Sequence, residues 1–136
     1  MSSIAQQLES KIADRSAVVG VIGLGYVGLP LASAMHEGGL HVIGFDIDPS
    51  KVEMLQRGEN YLKHLGASMT EALSKSDRFE PTADFSRLAE PDIILVCVPT
   101  PVNAQLEPDL TYVIKTAQSI GQMLRPGQLI VLESTT

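Results

Sequence analysis

Three observations predict an α/β fold, a doubly wound parallel sheet in a single domain. Strand-length apolar runs alternate with helical stretches over the whole 136 residues. Two of those runs, residues 17–22 and 92–98, are continuously apolar rather than alternating once past Asp92 at the start of the second, as expected of strands buried on both faces. A glycine-rich hexapeptide then joins the first run directly to a helical stretch.

In chain order, the first fourteen residues predict a short amphipathic helix, with Ile4, Leu8 and Ile12 at four-residue spacing. Residues 1–15 thus read as a helical leader to a domain covering 16–136. The β-branched run 17–22 predicts the first strand. Val27, Leu31, Ala34 and Met35 recur at helical spacing over 26–37, with Pro30 tolerable near the helix start and Gly38-Gly39 as the stop. Residues 41–45 predict the second strand, ending at Asp46. Asp48-Pro49 reads as an N-cap followed by proline in the first turn of a helix that carries Val52 and Leu55 and stops near Gly58.

Residues 60–76 carry a weaker pattern, with a helix expected around 70–75, and 79–82 predicts a short third strand. The apolar run 92–98 is closed by Pro99 and Pro101, a strand ending in a rigid loop. Asp109 is expected to cap a helix whose apolar stripe is Leu110, Val113, Ile114, Ala117, Ile120 and Leu124. Pro126-Gly127 turns the chain into the last strand, 129–132.

Composition narrows the function. Sixteen acidic against ten basic residues give a formal charge of -6, and the Lys and Arg residues are scattered, so nucleic acid is not an expected partner. Residues 16–35 are twenty in a row without a charge, but Gly20, Gly23, Gly25, Gly28 and Pro30 argue against a membrane span. Neither a signal peptide nor a membrane segment is expected. The single cysteine, Cys97, cannot form an internal disulfide, and His36, His41 and His64 have no metal-ligand spacing. A reducing, cytoplasmic setting is the expectation, with no metal.

The strongest chemical signal is Gly23-Leu24-Gly25-Tyr26-Val27-Gly28, a G-x-G-x-x-G placed between a buried strand and a helix. Gly23 permits the tight turn, Gly25 lets backbone approach a pyrophosphate, and Gly28 lets helix and strand pack closely. Free N–H groups and the dipole at the helix start favour the phosphates. Asp46 closes the second strand eighteen residues after Gly28, where a carboxylate accepts hydrogen bonds from the hydroxyls of an adenosine ribose. The combination predicts a Rossmann-type dinucleotide site. Because Asp46 would repel a 2′-phosphate and no Arg follows in Asp46-Ile47-Asp48, NAD is favoured over NADP. Asp48 is expected to act as an N-cap, and Lys51 reads equally as a surface charge or a neighbour of the adenosine.

Two more strand ends fall where ligands bind in such sheets. Val98-Pro99-Thr100-Pro101 is either a stiffened loop or a wall against the nicotinamide half. Glu133-Ser134-Thr135-Thr136 presents a carboxylate and hydroxyls at the tip of the last strand. Cys97 is expected in the core rather than as a nucleophile. His36 and His41 are expected in solvent, and His64 has no assigned place.

The stretches V-I-G-L-G-Y-V-G-L-P-L-A, G-F-D-I-D-P-S-K-V, C-V-P-T-P followed by P-D-L-T-Y-V, and L-E-S-T-T resemble, in this order, the N-terminal domain of the UDP-glucose/GDP-mannose dehydrogenase family. The resemblance runs from about Ala17 to Thr136. Tyr61-Leu62-Lys63-His64-Leu65 is more similar to the 2-acetamido-sugar branch, the UDP-N-acetylglucosamine 6-dehydrogenases, than to the UDP-glucose branch.

The resemblance implies an enzyme that oxidises C6 of a UDP-sugar to the uronic acid with two NAD, through a thiohemiacetal and a thioester on a cysteine, for surface polysaccharide synthesis. It implies that Gly23, Gly25 and Gly28 meet the pyrophosphate and that Asp46 and Lys51 meet the adenosine ribose, with Leu24, Tyr26, Val27 and Ile47 among the cofactor-binding residues. By the same resemblance, Val98, Pro99, Thr100 and Ser134 line the cofactor cleft, and Thr135 borders it and helps position catalytic water.

The family's central helix, second domain, and catalytic cysteine, lysine and asparagine lie beyond Thr136. Cys97 does not match that cysteine. The chain is therefore expected to be an inactive cofactor-binding piece of a longer, homodimeric enzyme. Two alternatives are a β-hydroxyacid dehydrogenase domain, which V-P-T-P and E-S-T argue against, and a non-catalytic NAD-sensing module.

Overall fold

The apolar runs pair as the strands of one sheet, because each buries side chains on both faces and cannot satisfy its backbone groups alone. The computed structural model describes residues 3–62, 67–102, 104–107 and 109–133. Its strands are β1 (Val18–Ile22), β2 (His41–Phe45), β3 (Phe79–Thr82), β4 (Ile93–Val96) and β5 (Leu129–Leu132). They lie in the order β3-β2-β1-β4-β5, with every neighbouring pair parallel. The chain runs outward from β1 to β3, then crosses back to the far side of β1. Between β1 and β4 the connections therefore leave in opposite directions, which opens a crevice at the carboxyl ends of those strands.

Side-chain alternation along the strands splits the interior into two layers. On one face Val19, Val21 and Val42 pack with Leu29 and Ala32 of α2 (Gly28–Glu37), Leu55 of α3 (Pro49–Gln56) and Leu73 of α4 (Ala67–Ser74). On the other, Ile22, Ile43, Phe45, Ile94 and Val96 pack with Leu88 of a 3-10 turn (Phe85–Ala89) and Ile120 of α5 (Thr111–Met123). This is the doubly wound arrangement that the sequence predicts.

Element ends differ from expectation in ways with local causes. Helix α2 begins at Gly28 rather than Tyr26, because residues 24–27 form the turn over the crevice. Regular strand β4 stops at Val96, although the Cys97 N–H still reaches the Ile22 carbonyl at 2.8 Å. The Asp109 carboxylate accepts from the Thr111 N–H at 2.9 Å, so it caps the first turn of α5 although Leu110 is the residue that precedes the helix.

The first helix, α1 (Ile4–Asp14), forms as predicted but buries none of its residues. It is held at the opposite edge of the sheet from the crevice, where Asp92 accepts from Val18 N–H at 2.9 Å, Lys11 Nζ at 3.2 Å and Arg125 Nη2 at 3.1 Å. Strand β5 departs from the expectation of a sheet covered on both faces. Leu129, Ile130 and Leu132 are 46%, 39% and 57% exposed on what is, among the described residues, an edge strand.

His36 also departs from a purely solvated role. Its Nε2 lies 2.6 Å from Ser76 Oγ, and burial together with the Arg78 guanidinium lowers its pKa below the usual histidine value.

Candidate functional site

At the crevice between β1 and β4 lies a cleft of about 570 Å³, a size usual for a small-molecule site. The glycine-rich turn forms its floor. Gly23 has φ +93°, and a Cβ there would lie 2.7 Å from the Cys97 carbonyl oxygen, so the turn and the close approach of β4 both require glycine. A Cβ on Gly28 would fall 1.6 Å from the Gly23 carbonyl oxygen. Gly28 therefore serves the packing of helix on turn and does not itself line the cleft.

Gly25 differs from both. A Cβ at Gly25 would meet no protein atom within 4 Å, and the residue lines the cleft. No packing inside the protein demands glycine there. The bare backbone there is open to close approach from the cleft, as a pyrophosphate at a helix N-terminus needs.

The carboxylate of Asp46, 8% exposed at the end of β2, accepts from the Leu24 N–H through Oδ2 and from the Asp48 N–H through Oδ1, both at 2.9 Å. It thus braces the turn in addition to facing the cleft. Each carboxylate oxygen retains capacity for a further donor such as a ribose hydroxyl. Asp48 caps α3, accepting from the Ser50 N–H at 2.9 Å, and also lines the cleft. Lys51 lines the same end, with Nζ 5.8 Å from the centroid of the Tyr61 ring.

Leu24, Tyr26, Val27, Ile47, Val98 and Pro99 complete the expected residues that the fold brings to the cleft. Tyr26, Val27 and Ile47 are 57%, 50% and 70% exposed, an apolar surface open toward the space a ligand would fill. Among the described residues Thr100 is not part of the lining. Ser134, Thr135 and His64 lie outside the described residues.

Cys97 packs against the first core layer, as expected, and also reaches the cleft. It follows β4 and is half-buried. Burial, with the Glu133 carboxylate nearby, pushes its pKa up to about 11, so it is a neutral thiol at pH 7 and a poor nucleophile.

Sequence reasoning missed the opposite wall: Phe85, Tyr112, Lys115 and Thr116. The last three follow i, i+3, i+4 spacing on α5, one helical face adjoining the apolar stripe. Phe85 stands edge-on to Phe45, centroids 5.7 Å apart, at the entrance to the second core layer. Among the described residues no group of three potential metal ligands comes together, and no helix is long and apolar enough to cross a membrane.

Comparison with known proteins agrees with this geometry. Residues 17–136 match the UDP-glucose/GDP-mannose dehydrogenase family, NAD binding domain. The UDP-N-acetyl-D-mannosamine dehydrogenase of Escherichia coli K12 is 38% identical over 120 residues, which cover 88% of this chain and 28% of that protein. The UDP-N-acetyl-D-glucosamine 6-dehydrogenase of Pseudomonas aeruginosa is 37% identical over 117 residues, 86% of this chain and 27% of that protein. Among solved structures, the NDP-N-acetyl-D-galactosaminuronic acid dehydrogenase of Methanosarcina mazei Go1 superposes with a TM-score of 0.82 at 36% identity, over 95% of this chain and 30% of that one.

This chain thus spans less than a third of the length of these relatives. With a Rossmann-type sheet, a glycine-rich turn that leaves room for a pyrophosphate, and a family match over nearly its whole length, the chain belongs to the UDP-glucose/GDP-mannose dehydrogenase family, as its NAD binding domain.

Proposed function

We propose that this chain is the cofactor-binding part of a cytoplasmic nucleotide-sugar 6-dehydrogenase that converts a UDP-2-acetamido sugar to its uronic acid, for surface polysaccharide synthesis. The observation that carries the cofactor reading is Gly25, which faces an open cleft and has no internal reason to lack a side chain. When bound, NAD supplies the hydride acceptor, once for each of the two oxidations between an alcohol and a carboxylate. The residues of this chain bind and orient it: the turn 23–28 at the pyrophosphate, Asp46, Ile47 and Lys51 at the adenosine, Val98 and Pro99 toward the nicotinamide. Ser134 and Thr135 complete that end, with Thr135 beside the catalytic water.

UDP-N-acetylglucosamine is the proposed sugar, on the 61–65 segment. UDP-N-acetylmannosamine is the second reading, because relatives carrying the two names are 37% and 38% identical to this chain and do not separate them. Family membership leaves no place for a β-hydroxyacid dehydrogenase reading.

The test has two parts. This chain is titrated with NAD and NADP, and weaker binding of NADP is expected. The full-length protein, proposed to be a homodimer, is then assayed for kcat/KM on UDP-N-acetylglucosamine, UDP-N-acetylmannosamine, UDP-N-acetylgalactosamine and UDP-glucose, since discrimination is a ratio of such values. A preference for UDP-glucose overturns the acetamido assignment and leaves the cofactor reading standing.

A further inference from the structure

Leu24 is the residue on which the glycine-rich turn is pinned. Its N–H donates to Asp46 Oδ2, its side chain is fully buried, and its carbonyl accepts the Tyr61 hydroxyl at 2.5 Å. Tyr61 comes from the connection after α3, thirty-seven residues along the chain, and is held there by a local turn in which the Leu62 N–H donates to Asn60 Oδ1 at 3.0 Å. Tyr61 is not itself part of the cleft lining, yet both of its polar neighbours, Leu24 and Lys51, are. Its ring lies under the Lys51 ammonium, 5.8 Å from centroid to Nζ. Burial, and then the carboxylates of Asp46 and Asp48, raise the phenol pKa, so the hydroxyl remains a donor across the physiological range.

We propose that Tyr61 is a positioning residue for the adenosine half of the cofactor site, holding the glycine-rich turn through the Leu24 carbonyl and seating the Lys51 ammonium over its ring. The proposal rests on the NAD-binding reading. The two contacts are separable, since Tyr61→Phe removes the hydrogen bond and keeps the ring, whereas Tyr61→Leu removes both. Neither substitution alters a group that would touch the ligand.

The wild-type chain, Tyr61→Phe, Tyr61→Leu, Lys51→Ala and the double variant Tyr61→Leu/Lys51→Ala are titrated with NAD, ADP-ribose and nicotinamide mononucleotide, with thermal unfolding recorded for each. Tyr61→Phe is expected to weaken NAD and ADP-ribose about two- to tenfold, the loss of one hydrogen bond. Nicotinamide mononucleotide binding should not change. Tyr61→Leu is expected to cost more, and to cost less in the Lys51→Ala background than alone, because the two residues act as a unit.

Equal losses for ADP-ribose and nicotinamide mononucleotide would mean general loosening and overturn the proposal, as would strict additivity with Lys51→Ala. If Tyr61→Leu does not fold, Tyr61→Phe decides: no loss for ADP-ribose overturns the proposal, and a selective loss supports it. Failure of the wild-type chain to bind NAD would overturn the cofactor reading itself, which is a different result from wild-type binding that the variants leave unaltered.

Discussion

The Leu24 N–H donates to Asp46 Oδ2 at 2.9 Å, joining the turn after β1 to the end of β2. One carboxylate therefore serves two purposes. It fixes the conformation of the turn that would receive phosphates, and it stands at the edge of the cleft where a ribose would lie. Replacing it disturbs both.

Asp46→Ala is expected to weaken NAD binding at least about tenfold, the scale of a charged hydrogen-bond acceptor worth on the order of 1.5–3 kcal/mol. It should also destabilise the chain by about 1–3 kcal/mol, because two backbone N–H groups lose their acceptor. Titration of NAD and a urea unfolding curve measure the two effects separately. Equal affinity of the wild type for NADP would remove the basis for the NAD preference.

The glycines at 25 and 28 should separate binding from stability. Gly25→Ala places its methyl group in open space, so unfolding free energy should stay within about 0.5 kcal/mol of wild type while NAD affinity drops more than about tenfold. Gly28→Ala forces a methyl group into the Gly23 carbonyl and should destabilise the fold by about 3 kcal/mol or more. An intact NAD affinity in Gly25→Ala would show that no ligand approaches the turn there.

Cys97 should behave as a half-buried, protonated thiol. Alkylation by iodoacetamide is expected to be slow at pH 7 and to accelerate about tenfold per pH unit until the pH approaches 11. With no other cysteine in its 136 residues, the chain alone is expected to form no NADH from UDP-N-acetylglucosamine and NAD. NADH production that persists in Cys97→Ser would place the chemistry elsewhere.

Asp92 should make the fold sensitive to acid. Burial works to raise its pKa, but the Val18 N–H, Arg125 and Lys11 outweigh it and hold the carboxyl below its ordinary value of 3.8. A carboxyl depressed in the folded state contributes stability above pH 3.8 and loses it as the pH falls through the lower, folded value. Asp92→Ala is expected to cost about 1–3 kcal/mol near neutral pH, chiefly from the Val18 N–H left without an acceptor. The two ion pairs add little, because Lys11 and Arg125 are 49% and 35% exposed and screened by water. In thermal unfolding from pH 6 down to about 2, the gap between wild type and variant should narrow below pH 3.8. A constant gap would mean that ionisation of Asp92 is not the source.

Local chemistry made most of the fold legible. Strands β2, β3 and β5 fall on the predicted residues, each bounded by glycine, proline or charged residues that mark where an extended segment begins or ends. Asp48-Pro49 starts α3 as read, because a capping carboxylate and a proline in the first turn satisfy the same unpaired N–H groups in any context. The helix expected around 70–75 is found at Ala67–Ser74, starting three residues earlier.

By itself, the sequence determined the alternation of strands and helices, the glycine-rich turn and the carboxylate after β2, because each depends on neighbours within a few residues or on the spacing inside one βαβ unit. Tertiary structure alone decided what stands across the cleft and behind it. Tyr112, Lys115 and Thr116 reach the site only because the order β3-β2-β1-β4-β5 carries the β4–β5 crossover past the carboxyl end of β1. Tyr61 meets Leu24 and Lys51 only because the connection after α3 folds back against the turn. The residues brought together come from segments more than ninety positions apart in places, as Gly23 and Thr116 are, and a side-chain pattern confined to one helix or loop carries no record of which strand its neighbour will be.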